Sequence, residues 1–98
     1  MTEVTSNPAH VDRLHTLMSH VSDGHISIEG LFPEKRMYKV LAVFGDEIGS
    51  MFMLIGEYKA AFAIFEAGQY NEWSFHSAHS SLESALNEMR DFRLRRIT

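Results

Sequence analysis

Two histidines and a glutamate near the C-terminus come closest to the spacing of a reactive site. His79 and Glu83 are four residues apart on a predicted helix, hence on one face, and His76 ends the strand before it. Two imidazoles and a carboxylate are a credible ligand set for zinc or a similar ion. The spacing matches no closed metal signature, however. We therefore predict polar residues at the start of a helix, with no metal and no cofactor.

Serines beside these histidines raise the question of nucleophilic catalysis. Four of them lie close to His76 and His79 in the sequence: Ser74, Ser77, Ser80 and Ser81. A serine nucleophile needs a base and an orienting acid within reach, and the chain contains no Gly-x-Ser-x-Gly elbow. We predict that the protein is not an enzyme. A small metal- or ligand-dependent enzyme around His76 and His79 is the third interpretation.

The arginines of the C-terminal segment could contact phosphates. Four of the nine basic residues are there, around Phe92: Arg90, Arg93, Arg95 and Arg96. Arginine clusters with an interleaved aromatic are typical of nucleic-acid contact. The formal net charge is nevertheless −4, which argues against general nucleic-acid binding and suits a basic protein partner. Nucleic-acid contact through Arg93, Arg95 and Arg96 is the second interpretation.

Aromatic residues at the ends of predicted strands are the candidates for binding another protein. The rings of Tyr38, Tyr58, Tyr70 and Trp73 fall at or near such ends, where amphipathic side chains often serve interfaces. Tyr58, Tyr70 and the acidic Glu72 are the first choices for contacts with a partner, and Trp73 is a further one.

These residues are positioned by a predicted α+β fold, a five-stranded antiparallel meander flanked by an N-terminal and a C-terminal helix. Asn7-Pro8 begins the first helix and Asp23-Gly24 ends it. Ser80 and Glu83 form a capping box at the start of the last helix. The predicted strands are residues 25–32, 37–44, 51–55, 60–66 and 70–76. Residues 57–68 also fit a helical stripe, but their phenylalanines and isoleucine favour a strand.

The middle strands are apolar on both faces, whereas a sheet with one wet face would alternate. We expect the two helices to cover one face, which would leave the other as a large exposed apolar patch. This pattern predicts a homodimer. Its contact would include four residues of the middle strands: Met51, Met53, Phe62 and Ile64.

The composition fits one small domain over residues 1–98, with residues 1–6 disordered. The chain has no cysteine, which excludes disulfides, thiolate metal sites and cysteine catalysis. A small domain without disulfides suits the cytoplasm. The first seven residues lack the pattern of a signal peptide, and the longest apolar run, residues 51–55, is too short for a membrane span.

In size and architecture the chain resembles small accessory proteins of phages and mobile elements. Some of those proteins inhibit host machinery, anti-CRISPR proteins among them. The resemblance is one of architecture and not of motif. Together with the absence of a catalytic motif, it favours a non-catalytic protein-binding module that acts as a small inhibitor or regulator.

Overall fold

The chain is described here by a computed structural model over residues 8–29, 35–46 and 50–97. Its elements are α1 (Pro8–Met18), β1 (His25–Glu29), β2 (Lys35–Gly45), β3 (Phe52–Tyr58), β4 (Ala61–Ala67), β5 (Trp73–His79), α2 (Leu82–Asp91) and β6 (Arg95–Arg96). Strands β1 to β5 pair in chain order as an antiparallel half-barrel, and β6 pairs with β2. The predicted fold class, a five-stranded antiparallel meander between two helices, is confirmed.

The segment 57–68, which also fits a helical stripe, is a β-hairpin. Tyr58 pairs with Ala61 across a two-residue turn. In that turn Lys59 and Ala60 both have positive φ angles, 49° and 62°, as a type I′ hairpin turn requires. The preference for strand over helix in this segment is therefore confirmed.

Helix α1 ends at Met18, before the predicted stop at Asp23-Gly24. Asp23 and Gly24 instead form a tight turn in which Ser22 and His25 exchange both backbone hydrogen bonds. Their φ angles of 52° and 76° are again those of a type I′ turn, for which Asp-Gly is a preferred sequence. The predicted helix end was wrong because the same glycine serves a hairpin.

Strand β5 covers Trp73–His79 and not the predicted residues 70–76. A turn precedes the strand and moves its start toward the C-terminus. In this turn the Gly68 amide donates to the Glu72 carbonyl at 2.7 Å, and Asn71 has a φ of 60°. The predicted N-cap Asn7, and residues 30–34 with the end of the first predicted strand, lie outside the described residues.

The two helices pack on opposite faces of the sheet, which corrects the prediction that both would cover one. Leu17 of α1 packs in a cluster with Phe52, Leu54 and Phe65 of the sheet. Ala85 and Met89 of α2 pack in a second cluster with Met53, Ile55 and Ile64. Neighbouring residues of a strand point to opposite faces, so Leu54 and Met53 mark the two sides. The strands are apolar on both faces because each face carries a helix of its own.

Helix α1 is fixed to the end of the sheet that holds the β2–β3 and β4–β5 loops. The Arg13 guanidinium donates to the Ser50 carbonyl at 2.7 Å, to Asn71 Oδ1 at 3.1 Å and to the Gly68 carbonyl at 3.2 Å. The buried Trp73 indole donates to the Leu17 carbonyl in the last turn of the helix, at 3.1 Å. We refer to this as the anchored end of the sheet, and to the end with the β3–β4 turn as the open end.

Helix α2 begins one residue later than the capping box predicts. Ser81 is the N-cap, and its hydroxyl accepts from the Ser84 amide at 3.1 Å. Ser80 lies outside the helix, and Glu83 is in its first turn and not at the third position. Ser80 and Ser81 are both suited to cap the helix, and in the structure Ser81 does so.

Candidate functional site

An apolar pocket lies on the α1 face of the half-barrel, at its open end. Its volume is about 330 Å³, within the lower range of small-molecule and anchor-residue sites. We call it the aromatic pocket. It is lined by residues of β2 to β5, namely Arg36, Tyr38, Tyr58, Ala61, Phe62, Ala63, Phe75 and Ala78.

The pocket exists because small side chains meet where the helix does not reach. Ala61 and Ala63 of β4 share a face, and Ala78 of β5 pairs with Ala63. The pairing depends on a one-residue register shift, since Phe65 pairs with Phe75 but Ile64 pairs with Ser77. Such a bulge reverses the facing of the residues beyond it, and here it turns Ala78, and not Ser77, toward the pocket.

Aromatic rings form the walls of this site. The ring centroid of Tyr38 lies 5.6 Å from that of Tyr58 and 4.8 Å from that of Phe65, and Phe65 lies 6.1 Å from Phe75. These separations are in the range of favourable edge contacts between rings. The Phe75 side chain remains 38% exposed, so part of the wall faces solvent.

Gly56 lets the aromatic wall lie close to the sheet. A Cβ at this position would come 3.0 Å from Tyr38 Cβ and 3.2 Å from Phe65 Cε2. Contacts of that length force neighbouring atoms to move, because the pocket wall is packed directly against β3. The glycine therefore fixes where the Tyr38 ring stands.

Two cations lie close to the ring of Tyr58, and one of them, Arg36, lines the pocket. The Arg36 Cζ lies 5.0 Å and the Lys59 Nζ lies 5.4 Å from the centroid of the Tyr58 ring, within the range of cation–π contact. Both are basic residues in a chain whose formal net charge is −4. The apolar lining of the pocket can hold an apolar group.

Two of the three candidate metal ligands, His76 and His79, are joined by a series of hydrogen bonds that does not include Glu83. His76 Nδ1 lies 3.0 Å from Ser77 Oγ, which lies 3.0 Å from His79 Nε2, and His79 Nδ1 lies 2.9 Å from Ser84 Oγ. Within the part of the chain that the structure describes, no three His, Asp or Glu side chains are grouped so that they could hold a metal ion. This series of hydrogen bonds links β5 to the first turn of α2. Its members are the imidazoles of two histidines and the hydroxyls of two serines.

The predicted binding residues are divided between the two ends of the sheet. Tyr58 is in the aromatic pocket. Tyr70, 77% exposed, and the exposed Glu72 are in the β4–β5 loop at the anchored end. Trp73 is only 7% exposed and holds α1 by its indole hydrogen bond, so its ring is part of the core and not a contact surface. One small partner site cannot include both Tyr58 and Tyr70.

Three of the four predicted dimer residues lie on the α2 face of the sheet. Met53 and Ile64 are fully buried beneath α2. The half-buried Phe62 packs against the same cluster and also borders the aromatic pocket. Met51 is 40% exposed. The argument for a second copy depended on an uncovered apolar face, and α2 covers that face. The homodimer stays a prediction without this support.

The arginines of the C-terminal segment are held against the sheet. Arg95 and Arg96 form β6, which pairs with Gly45 and Phe44 of β2. The exposed Arg93 precedes them with a φ of 56°. The Arg96 guanidinium donates to the Leu41 carbonyl at 3.4 Å. This segment is thus an ordered edge strand that displays cations.

Phe75, Arg36 and the alanines of the pocket were not among the site residues predicted from the sequence. The alternation of Ala61 and Ala63 was a visible signal, since two small residues on one face of a strand leave space above it. Ala78 gave no such signal, because its facing depends on the bulge.

Comparison with protein-family models, with curated proteins and with solved structures found no match. Among the described residues, no helix has the length and apolar character needed to cross a membrane.

Proposed function

We propose that this protein is a non-catalytic binding module that captures another protein, as a small inhibitor or regulator. The observation that carries the proposal is the aromatic pocket, whose walls are formed by the packing of the chain itself. Binding energy at protein interfaces concentrates where one large side chain fills a preformed, desolvated pocket. A volume of about 330 Å³ suits one such anchor residue.

The packing of the pocket wall supports a binding role. Tyr38 packs close to Gly56 and against Phe65, which is fully buried. A wall that is already in place loses little conformational entropy when a partner is bound. Burial of one large apolar side chain contributes about 1.5–3 kcal/mol, and the ring contacts add to it. The size and α+β architecture are those of the phage-encoded inhibitors that the chain resembles, and we propose a role of that kind.

The test is to fill the pocket and measure partner binding. The partner is isolated on the immobilised wild-type chain from the cells in which the protein is naturally produced, purified, and titrated by calorimetry. Ala78→Phe places a ring in the pocket from the exposed edge strand. Ser74→Phe makes the same change on the same strand but on the other face, and serves as the control.

We expect Ala78→Phe to weaken the complex at least about tenfold, which corresponds to about 1.4 kcal/mol, and Ser74→Phe to leave it unchanged. Equal affinity of wild type and Ala78→Phe would show that the pocket is not the site. Turnover of a captured molecule by the wild-type chain would contradict the non-catalytic role.

A second candidate is nucleic-acid contact through the arginine segment. The observation in its favour is the exposure of four arginines at the end of α2, on β6 and in the connection between them: Arg90, Arg93, Arg95 and Arg96. Because β6 is anchored on β2, these cations are displayed from an ordered surface. The acidic balance of the chain opposes this candidate.

A further inference from the structure

We infer that a network of hydrogen bonds on the α2 face of the sheet sets the shape of the aromatic pocket on the other face. The network consists of His76, Ser77, His79 and Ser84. It holds β5 in the register that turns Ala78 toward the pocket, so its members are positioning residues and not contact residues. The inference rests on the proposed function and names what holds its binding site in shape.

The bulge in β5 gives this strand two alternative registers. It comes from one extra residue, His76, between Phe75 and Ser77, which pair with consecutive residues of β4. Without the bulge, His76 would take the place of Ser77 in the pairing, and each residue after it would turn to the opposite face. Ser77 would then face the pocket, and Ala78 would face α2. The choice between the two registers therefore decides which side chains line the pocket.

Both histidines of β5 are held by α2, one at the bulge and one beyond it. The ring centroid of His76 lies 5.3 Å from that of Phe92, which is the C-cap of the helix and packs against the cluster beneath it. His79 Nδ1 lies 2.9 Å from Ser84 Oγ in the first turn. The two ends of α2 thus contact β5 on the face to which the bulge directs both imidazoles.

Ser77 joins the two imidazoles. Its Oγ lies 3.0 Å from His76 Nδ1 and 3.0 Å from His79 Nε2, and a hydroxyl can donate to one ring while it accepts from the other. In the alternative register Ser77 and His79 would leave the α2 face. The bonds of Ser77 with His76 and of His79 with Ser84 would then be lost. Because these bonds form in one register alone, they favour the bulged strand.

The pocket depends on the same register at two positions. Ala78 pairs with Ala63, and these two small side chains leave space between the aromatic walls. In the alternative register Ser77 would pair with Ala63, and His79 would pair with Ala61. An imidazole and a hydroxyl would then lie where the pocket now has a methyl group and open space. The network on the closed face therefore keeps polar side chains out of the binding site.

The test compares two variants that differ by a hydroxyl group alone. Ser77→Thr keeps the hydroxyl, whereas Ser77→Val replaces it with a methyl group in a side chain of the same shape. Nuclear Overhauser contacts between the methyl groups of Ala63 and Ala78 report the register, since the Cβ atoms of directly opposite residues are about 5 Å apart. An NMR titration of the full chain with toluene reports the pocket.

We expect Ser77→Thr to keep both the Ala63–Ala78 contact and the toluene affinity of the wild type. Ser77→Val should weaken or abolish that contact and lower the toluene affinity about twofold to tenfold, because only chains in the bulged register offer the pocket. The matched pair Ser74→Thr and Ser74→Val is the control. Ser74 is on the same face of β5 but bonds to the Glu66 carbonyl, outside the network, so neither change should affect either measurement.

A second variant covers the case in which Ser77→Val does not fold. Ser84→Ala removes one hydroxyl of the network at an exposed position on α2. It should weaken the Ala63–Ala78 contact and lower the toluene affinity by a smaller factor than Ser77→Val. Asn87→Ala, also exposed on α2, should change neither.

Two results would overturn the inference and leave the proposed function standing. One is a Ser77→Val chain, or in its place a Ser84→Ala chain, with the Ala63–Ala78 contact and the toluene affinity of the wild type. The other is equal weakening by Ser77→Thr and Ser77→Val, which would assign the register to packing and not to the hydroxyl. Absence of toluene binding by the wild-type chain would instead count against the pocket and the proposed function, and the Ala63–Ala78 contact would still test the register.

Discussion

The two faces of the sheet are built from the same strands, yet one is closed and the other is not. On the α2 face, Ala85 and Met89 lie fully buried over Met53 and Ile64. On the α1 face, the helix covers the anchored end and leaves the aromatic pocket at the open end. The position of a helix along a sheet, and not the apolar character of the strands, therefore decides where a binding surface remains.

Alanine has opposite consequences on the two faces. Ala85 lets α2 approach the sheet closely, so that Met89 seals the cluster beneath it. Neither of the two helices that the structure describes covers Ala61 and Ala78, and their small side chains leave space. The Arg13 and Trp73 hydrogen bonds hold α1 at the anchored end, which is why it does not fill that space.

The largest effect on stability should come from making a cavity on the α2 face. Met89→Ala should lower the free energy of unfolding by about 2–5 kcal/mol, because it leaves a cavity in a buried cluster. Phe75→Ala, at the pocket wall, should cost less than about 1.5 kcal/mol, since its ring is already partly solvated. Urea unfolding followed by circular dichroism measures both. Equal losses would mean that the pocket wall is part of the core.

Releasing α1 should have the next largest effect. Arg13→Met removes three hydrogen bonds from a charged donor, and we expect a loss of about 1–3 kcal/mol in the free energy of unfolding. Arg90→Met, at an exposed position on α2, is the control and should change stability by less than about 0.5 kcal/mol. Hydrogen exchange should show faster opening of α1 but not of α2. Unchanged exchange in α1 would contradict the anchoring role of Arg13.

Relieving the strain of the β3–β4 turn should have a smaller effect, and of opposite sign. Ala60→Gly should raise the free energy of unfolding by up to about 1 kcal/mol, because glycine adopts the positive φ without strain. The matched change Gly24→Ala should lower it by about 1 kcal/mol. A Cβ at Gly24 has no atom within 4 Å, so backbone conformation alone accounts for that cost. Destabilisation by Ala60→Gly in thermal unfolding would argue against strain in this turn.

The smallest effect is expected at the arginine segment. We expect no measurable binding of DNA or RNA near physiological salt, because the acidic balance of the chain repels the phosphate backbone. Replacement of Arg93, Arg95 and Arg96 by alanine should then change nothing in fluorescence anisotropy. Nanomolar affinity with a steep salt slope that the substitutions reduce would favour the nucleic-acid candidate.

Much of the fold could be predicted from local pattern. Apolar residues on both faces of β2 to β4 indicated the buried sheet, and the capping box at Ser80 predicted the start of α2 to within one residue. Asp23-Gly24 was misread because one dipeptide suits both a helix end and a type I′ turn. Which helix covers which face depends on long-range contacts such as that of Arg13 with Ser50, and the sequence pattern does not record them.

The candidate site was less predictable than the fold. Tyr58 was identified from its place at a strand end, and it lines the pocket. Phe75 and Ala78 share that pocket only because one extra residue in β5 changes the facing of the strand beyond it. A bulge of this kind comes from the fit of the sheet as a whole, so it left no signal in the alternation. Tyr70 looked equivalent to Tyr58 but is at the anchored end.

NMR shift mapping of the whole chain with toluene, a neutral apolar probe, distinguishes the two faces directly. We expect shifts at Tyr38, Tyr58 and Phe75 in the pocket, and no shifts at Met53 and Met89 beneath α2. The shifts should disappear in Ala78→Phe and persist in Ser74→Phe. Shifts spread equally over both faces, or unchanged in Ala78→Phe, would contradict the claim that one face is closed and the other open.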